Sequence, residues 1–129
     1  MNKKRILVVD DEVSFTRLLK LNLEQSDRYE VRVENWAEDA LRAAQEFRPD
    51  VIFLDVLMPR MFGGDVASRI QADENLRDTP IVFLTATVSK ARVEEHGGVI
   101  SGFPVLAKPV SVEEVVECIE KHLATDEGD

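Results

Sequence analysis

Acidic, hydroxyl and amine side chains stand at the ends of apolar runs along this chain. The runs with polar ends are "ILVVDD", "VIFLD", "PIVFLT" and "VLAK". Their polar residues, in order, are Asp10, Asp11, Asp55, Thr85 and Lys108. A carboxylate can bind a hard divalent cation or attack a phosphoryl group, and a hydroxyl or an ammonium can bond phosphoryl oxygens. These residue types indicate phosphoryl chemistry if the fold brings them together.

Five apolar blocks, rich in β-branched and aromatic residues, predict five strands. They are "RILVVD", "YEVRVE", "VIFLD", "PIVFLT" and "FPVLAK". Helical patterns follow each block, from Phe15 to Leu23, Ala37 to Phe47, about Gly64 to Ala72, Lys90 to Glu95, and Val112 to Leu123. Strict alternation of strand and helix predicts a single doubly wound α/β domain, in which helices cover both faces of a five-stranded parallel sheet.

The order of the strands follows from their composition. The second block alternates apolar and polar residues, and the fifth contains Pro104, so both are predicted to be edge strands. The resulting order is 2-1-3-4-5, that of a flavodoxin-like sheet. In such a sheet ligands bind beyond the carboxyl ends of the strands, where the strand order reverses. The five polar side chains are therefore expected to form one cluster.

Three carboxylates in one cluster need a counter-charge. At about 5 Å and an effective dielectric near 20, each pair would repel by about 3 kcal/mol. Either Lys108 or a divalent cation must offset the charges of Asp10, Asp11 and Asp55. Oxygen ligands without a neighbouring imidazole or thiolate favour Mg²⁺. With such an ion in place, Asp55 could accept a phosphoryl group as an acyl phosphate.

The sequence resembles a known family in four of its motifs. "LVVDDE", "LDVLMP", "LTA" and "KP", in this order and spacing over nearly the whole chain, resemble the receiver domain of two-component response regulators. The resemblance implies that Asp55 is the phosphoacceptor and that Asp10 and Asp11 are the acidic metal pair. It also implies that Leu57 lends its backbone carbonyl to the metal.

The resemblance extends to the last two strands. It implies that Thr85 is the switch hydroxyl and that Lys108 precedes a cis-proline, here Pro109. Receivers usually carry Tyr or Phe three residues before this lysine. The ring of that aromatic residue moves inward when the switch threonine moves. Here Val105 occupies that position, and Phe103 lies on the same side of the strand by the period-two rule. Phe103 is therefore the candidate substitute for the switch aromatic.

Glycines interrupt the pattern in two loops. In "EEHGGVISGF" two adjacent glycines predict an early end to the fourth helix and a loop before the last strand, on the face through which receivers generally signal. Gly63 and Gly64 are expected to permit the backbone turn into the third helix.

The expected function is that of a phosphoaccepting receiver. It would take phosphate from a histidine kinase or a histidine phosphotransfer domain and switch a protein-interaction surface. The resemblance implies no enzyme in the usual sense, but a phosphoacceptor that assists its own phosphorylation and slow dephosphorylation. The alternative is a pseudo-receiver, a protein-interaction module that works without phosphate.

Enzymes and cofactor binders of similar fold fit less well. A flavodoxin needs a neutral, hydroxyl-rich phosphate loop, whereas "DDEVS" would repel a flavin phosphate. A haloacid-dehalogenase-type phosphatase needs a second aspartate two residues after its nucleophile, where this chain has Leu57. The chain has no Walker lysine loop.

Composition limits the partners and the setting. The 129 residues carry a formal net charge of −9, which argues against binding nucleic acid or an anionic membrane surface. A single cysteine, Cys118, excludes an internal disulfide, and a cytoplasmic setting is expected. Residues 1–124 are predicted to form the domain, with 125–129 an acidic tail or the start of a linker. A monomer and a phosphorylation-dependent dimer both remain open.

Overall fold

The computed structural model describes the backbone of residues 3–127 and the side chains of residues 3–123. The strands are β1 (Lys4–Val9), β2 (Tyr29–Glu34), β3 (Val51–Asp55), β4 (Leu57–Met58), β5 (Met61–Phe62), β6 (Ile81–Thr85), β7 (Val99–Ile100) and β8 (Phe103–Ala107). The helices are α1 (Val13–Glu24), α2 (Ala40–Phe47), α3 (Gly63–Gln71), α4 (Lys90–Glu95) and α5 (Val112–Glu127), and a 3₁₀ turn at Ala37–Asp39 precedes α2.

The main sheet has the order β2-β1-β3-β6-β8-β7. Its first five strands are parallel, so the predicted five-stranded parallel sheet and its order are confirmed. The strands β1, β3 and β6 lie in the centre because their apolar runs can be buried on both faces. Parallel pairing aligns their carboxyl ends, with Asp55 opposite Leu84 and Thr85 opposite Ala107.

A sixth strand corrects the prediction for the outer edge. Strand β7 pairs antiparallel with β8, joining Val99 to Pro104 and Ile100 to Phe103. Between them Ser101 and Gly102 have φ of 56° and 85°, the two positive values that a tight two-residue hairpin turn requires. The predicted loop before the last strand is thus partly a hairpin, and the proline-containing strand is not the outermost one. We call residues 99–107 the β7–β8 hairpin.

The sheet separates two apolar clusters. On one face α1 and α5 contribute Leu19, Leu23, Val115, Ile119 and Leu123. On the other face α2 and α3 contribute Ala40, Ala43, Ala44, Val66, Ala67 and Ile70. Each fully buried Leu, Ile or Phe side chain contributes about 1.5–3 kcal/mol to stability. The two clusters pack against opposite faces of the sheet and so hold the strand ends in fixed relative positions.

Helix α4 is short for a local reason. It begins at the N-cap Ser89, whose side chain accepts a hydrogen bond from the Arg92 amide, and it ends after six residues. Gly97 and Gly98, with φ of 67° and 79°, then turn the chain away from the helix axis. The predicted early end of the fourth helix is confirmed.

Helix α5 begins with a reciprocal cap. The Ser111 amide donates to the Glu114 carboxylate at 3.0 Å, and the Glu114 amide donates to the Ser111 hydroxyl at 3.1 Å. The helix runs to the last described residue, so the predicted boundary at 124 stays a prediction, and 128–129 of the predicted tail lie outside the described residues. None of the helices in the described part of the chain could span a lipid bilayer.

Candidate functional site

Three carboxylates meet at the carboxyl edge of the sheet. Asp10 follows β1, Asp11 is the next residue, and Asp55 ends β3. One ligand oxygen of each lies within 4.8 Å of the others. Asp10 is fully buried and Asp55 is 6% exposed, whereas Asp11 faces solvent. The structure therefore brings together the three acids that the sequence predicted to share a site.

Lys108 supplies positive charge to this cluster from the end of β8. Its Nζ lies 2.7 Å from Asp10 Oδ2 and 3.8 Å from Asp55 Oδ2. The Phe15 ring lies against the ammonium, with its centroid 5.2 Å from Nζ. The peptide bond from Lys108 to Pro109 is cis, as the resemblance implied, and the Lys108 amide donates to the Thr85 carbonyl at 2.7 Å. This backbone bond positions the lysine beside β6.

Glu12 is a site residue that the sequence analysis missed. Its Oε1 accepts a hydrogen bond from Lys108 Nζ at 2.8 Å, although the Glu12 side chain is 58% exposed. Glu12 is also the N-cap of α1, and its amide donates to Asp10 Oδ1 at 2.9 Å. A contact between residues 96 positions apart leaves no signal in a single sequence.

The charges of the cluster perturb each other. Burial, and next the charge of Asp10, raise the pKa of Asp55 to about 7. Burial also raises the pKa of Asp10, although Lys108 opposes that effect. Burial of the Lys108 ammonium would lower its pKa, but Asp10 and Glu12 outweigh it and raise the pKa above its ordinary value. The single positive charge of Lys108 therefore does not neutralise both buried carboxylates, Asp10 and Asp55.

The donor set fits a hard cation. Asp10 Oδ2 is a buried oxygen that, despite its ion pair with Lys108, receives no well-directed hydrogen bond from the described residues. Such an oxygen is free to serve as a ligand atom. Three carboxylates, with no imidazole or thiolate in the cluster, match the oxygen preference of Mg²⁺. Asp10, Asp11 and Asp55 are therefore the residues that would hold it.

Thr85 is buried at the end of β6, next to the strand that carries Asp55. Its Oγ1 lies 2.9 Å from Thr87 Oγ1 and accepts a hydrogen bond from the Thr87 amide at 3.1 Å. The hydroxyl is thus engaged with Thr87 in this structure. To bond a group on Asp55, Thr85 would exchange that contact for a new one.

The loop after Asp55 is held close to the site. Leu57 and Phe62 pair across the short β4–β5 ladder, and they are 49% and 63% exposed. The Gly63 amide donates to the Val56 carbonyl at 2.8 Å, which brings the start of α3 against the end of β3. Neither Gly63 nor Gly64 has a positive φ, so glycine is not needed at either position for its backbone angles. Close approach of backbones is the reason for Gly63.

An apolar groove of about 290 Å³ lies beside Thr85. Phe83, Val105 and Phe103 line it, together with Thr85 at its edge. The rings of Phe83 and Phe103 meet edge to face, with centroids 4.8 Å apart. Because Val105 is small, the position where receivers usually carry an aromatic ring borders open space.

The chain matches a family model over most of its length. That model is described as the response regulator receiver domain and covers residues 6–120. Two curated proteins illustrate the likeness. The chain is 44% identical over 86 residues to the alkaline phosphatase synthesis transcriptional regulatory protein PhoP of Bacillus subtilis (strain 168), covering 67% of this chain and 34% of PhoP. It is 31% identical over 122 residues to the polar-differentiation response regulator DivK of Brucella anthropi, covering 93% of this chain and 96% of DivK.

These relatives differ in length. The chain spans about a third of PhoP but nearly the whole of DivK. Among solved structures, the receiver domain of the sensor histidine kinase PA1611 from Pseudomonas aeruginosa PAO1 superimposes with a TM-score of 0.78 and 26% identity, covering 95% of this chain and 99% of that one. That structure holds a magnesium ion coordinated in its active site cleft.

Proposed function

The chain belongs to the response regulator receiver domain family, and from this premise we propose that Asp55 accepts a phosphoryl group from a phosphohistidine of a partner protein. The observation that carries the proposal is the meeting of Asp10, Asp11, Asp55 and Lys108 at one edge of the sheet. Receiver domains are generally phosphoacceptors rather than enzymes. This chain would act in that way and assist its own phosphorylation and slow dephosphorylation.

The transfer requires an ionised Asp55. One carboxylate oxygen forms a bond to phosphorus while the bond from phosphorus to the histidine nitrogen breaks. The electron pair returns to the imidazole, which takes up a proton. The Lys108 ammonium stabilises the negative charge on the phosphoryl oxygens, and the Thr85 hydroxyl bonds another of them after leaving Thr87. Mg²⁺, held by Asp10, Asp11, Asp55 and the Leu57 carbonyl, would supply positive charge to the same oxygens.

The partners follow from this chemistry. The phosphoryl donor is a histidine kinase or a histidine phosphotransfer domain, which presents its phosphohistidine at the carboxyl edge of the sheet. The net charge of −9 disfavours direct nucleic-acid binding by this domain. We propose a cytoplasmic protein that passes its signal to another protein or domain, as a monomer or as a phosphorylation-dependent dimer.

A pseudo-receiver is the second candidate. The observations in its favour are Val105 at the usual aromatic position and the β7–β8 hairpin on the signalling face. It would use the same surface without phosphate. Phosphorylation at Asp55 distinguishes the two proposals.

The test is the intact mass of the protein after incubation with Mg²⁺ and acetyl phosphate. We expect the mass of one added phosphoryl group, and no addition when Mg²⁺ is chelated or Asp55 is replaced by Asn. If wild-type protein shown separately to bind Mg²⁺ gains no mass, the phosphoacceptor proposal is wrong and the pseudo-receiver is favoured.

Phe103 is our candidate for the switch aromatic. Its half-buried ring stands against Phe83, and the groove that it lines together with Thr85 gives it space to move. When Thr85 leaves Thr87 for the phosphoryl group, the ring would move toward the vacated space and carry the β7–β8 hairpin with it. The site and the hairpin would then switch together.

A Phe103→Leu substitution tests this coupling. We expect fluoroberyllate, a phosphoryl mimic, to shift the NMR amide signals of residues 99–103 in wild-type protein, and the shifts to fall by about half or more in the variant, because the ring that links the two sites is gone. Phe47→Leu is the matched control, since Phe47 is another half-buried phenylalanine packed on the same apolar cluster, but its backbone carbonyl accepts a hydrogen bond from Arg5 near the amino end of β1. Equal shifts in all three proteins would contradict a switching role for Phe103.

A further inference from the structure

Lys108 contacts three carboxylates, which is more than its role in phosphoryl binding requires. Its Nζ lies 2.7 Å from Asp10 Oδ2 and 2.8 Å from Glu12 Oε1, but 3.8 Å from Asp55 Oδ2. An ammonium has three N–H groups. One donates to Glu12, whereas Asp10 Oδ2 is held as an ion pair without a well-directed hydrogen bond, and the Phe15 ring lies against the same group at 5.2 Å. Asp55 therefore has the weakest of the three carboxylate contacts with this lysine.

A phosphoryl group on Asp55 would bring further anionic oxygens to this ammonium. Lys108 must move toward Asp55 to bond them, because its Nζ now lies 3.8 Å from Asp55 Oδ2, and this movement lengthens its present contacts. Asp10 is fully buried, so a lost charge partner there could not be replaced by bulk water. Glu12 has a side chain that is 58% exposed, so water can hydrate its carboxylate as soon as Lys108 leaves. Glu12 is thus the contact that can be released at the lower cost.

We propose that Glu12 is a competing carboxylate that holds Lys108 away from Asp55 and so limits how far the phosphorylated state accumulates. The proposal rests on the proposed function of Asp55 and concerns the regulation of that same site. Glu12 is a positioning residue, because it acts through Lys108 and does not itself receive the phosphoryl group. Its contact exists in the resting state and is lost in the phosphorylated state.

The size of the effect follows from the exposure of Glu12. Exposed ion pairs contribute little to stability, and the pair of Glu12 with Lys108 is exposed on the Glu12 side. We therefore expect its removal to raise the ratio of phosphorylated to unphosphorylated protein roughly two- to fivefold. Phosphorylation would remain dependent on Asp55 and Lys108.

Removing a negative charge near the site would favour the binding of any anion. The test must therefore distinguish loss of the contact with Lys108 from loss of the charge. Glu12→Asp keeps the charge but shortens the side chain by one methylene, which withdraws it from Lys108. Glu12→Gln removes the charge and weakens the contact. Glu34→Gln is the matched control: Glu34 lies beside the same strand end, where its carbonyl accepts from the Asp10 amide at 3.1 Å, but its side chain pairs with Arg32.

The experiment measures the phosphorylated fraction at steady state by intact mass, with Mg²⁺ and limiting acetyl phosphate, for wild type and the three variants. We expect a higher ratio in Glu12→Asp and Glu12→Gln and an unchanged ratio in Glu34→Gln. The NMR signal of the Lys108 ammonium, identified by its loss in Lys108→Arg, should shift in both Glu12 variants without phosphodonor. A purely structural role of Glu12 at the start of α1 would not shift that signal.

The outcomes separate this inference from the function on which it rests. Wild-type protein that gains no phosphoryl group would overturn the proposed function and the inference with it. Wild-type protein that is phosphorylated, with Glu12→Asp at the wild-type ratio, would overturn the inference alone, since charge rather than contact would then matter. A lower ratio in both Glu12 variants would also overturn it.

Discussion

The Asp55→Asn variant is expected to accept no phosphoryl group and, in metal-free buffer at pH 8, to exceed the wild-type free energy of unfolding by about 2–4 kcal/mol. Phosphorylation is lost because the substitution removes the proposed nucleophile. The gain in stability follows from burial: an ionised Asp55 is buried beside Asp10, whereas the asparagine amide carries no charge and has nearly the same shape. The substitution that abolishes the proposed chemistry should thus stabilise the fold.

The pH dependence follows from the sign of the pKa shift. Burial raises the pKa of Asp55 from 3.8 to about 7 in the folded state. Between these values the folded protein binds more protons than the unfolded chain, so the Asp55 contribution to stability is lost as the pH rises from about 4 to about 7. The difference between Asp55→Asn and wild type should therefore grow by about 2–3 kcal/mol from pH 5 to pH 8.

Urea unfolding at pH 5 and pH 8 measures this difference. Asp27→Asn is the control, because Asp27 lies exposed in the turn before β2 and its replacement should be nearly neutral at both pH values. Added Mg²⁺ should narrow the gap at pH 8, since a cation that binds the folded wild type stabilises it. An Asp55→Asn advantage that is the same at both pH values would contradict the argument.

The second large effect concerns two adjacent glycines. A Cβ on Gly63 would overlap the carbonyl oxygen of Asp55 and come within 3.0 Å of the Val56 Cα. Both are backbone atoms of the segment that carries Asp55, the proposed phosphoacceptor, so they cannot rotate away as a flexible side chain would. We expect Gly63→Ala to destabilise the fold by about 1–3 kcal/mol. A displaced Asp55 should also slow phosphoryl uptake by about tenfold or more.

Gly64→Ala is the matched control for this prediction. A Cβ on Gly64 meets no atom within 4 Å, and the residue lies in the first turn of α3. Alanine there should stabilise the protein by about 0.4–1 kcal/mol, because it reduces the conformational freedom of the unfolded chain. Thermal unfolding and the rate of phosphorylation by acetyl phosphate measure both variants. Equal behaviour of the two variants would refute the close-approach argument.

The sequence predicted the convergence of the site because the rule behind it is topological. Parallel strands present their carboxyl ends at one edge, so residues that directly follow the strands meet there whatever the details of packing. Asp10 and Asp55 meet at this edge, and Thr85 ends the strand next to the one that carries Asp55. Their roles in phosphoryl transfer remain a proposal.

The features that the sequence did not predict depend on contacts rather than on patterns. Strand β7 has only two residues, too few for a period to be visible, and its pairing depends on positive φ at Ser101 and Gly102. The Glu12 contact depends on the reach of one side chain across the site. Gly63 and Gly64 look alike in the sequence, and only the position of the Asp55 carbonyl distinguishes them.

The β7–β8 hairpin also bears on aggregation. A parallel sheet ends in unpaired backbone amides and carbonyls, which can recruit strands from other molecules. On one side β2 carries Glu30, Arg32 and Glu34, whose charges discourage such pairing. On the other side the apolar strand β8 lacks such charges, but β7 occupies its outer edge and Pro104 offers no amide hydrogen. The hairpin thus replaces the five-residue edge of β8 with a two-residue edge strand, which is a poor template for pairing with another molecule.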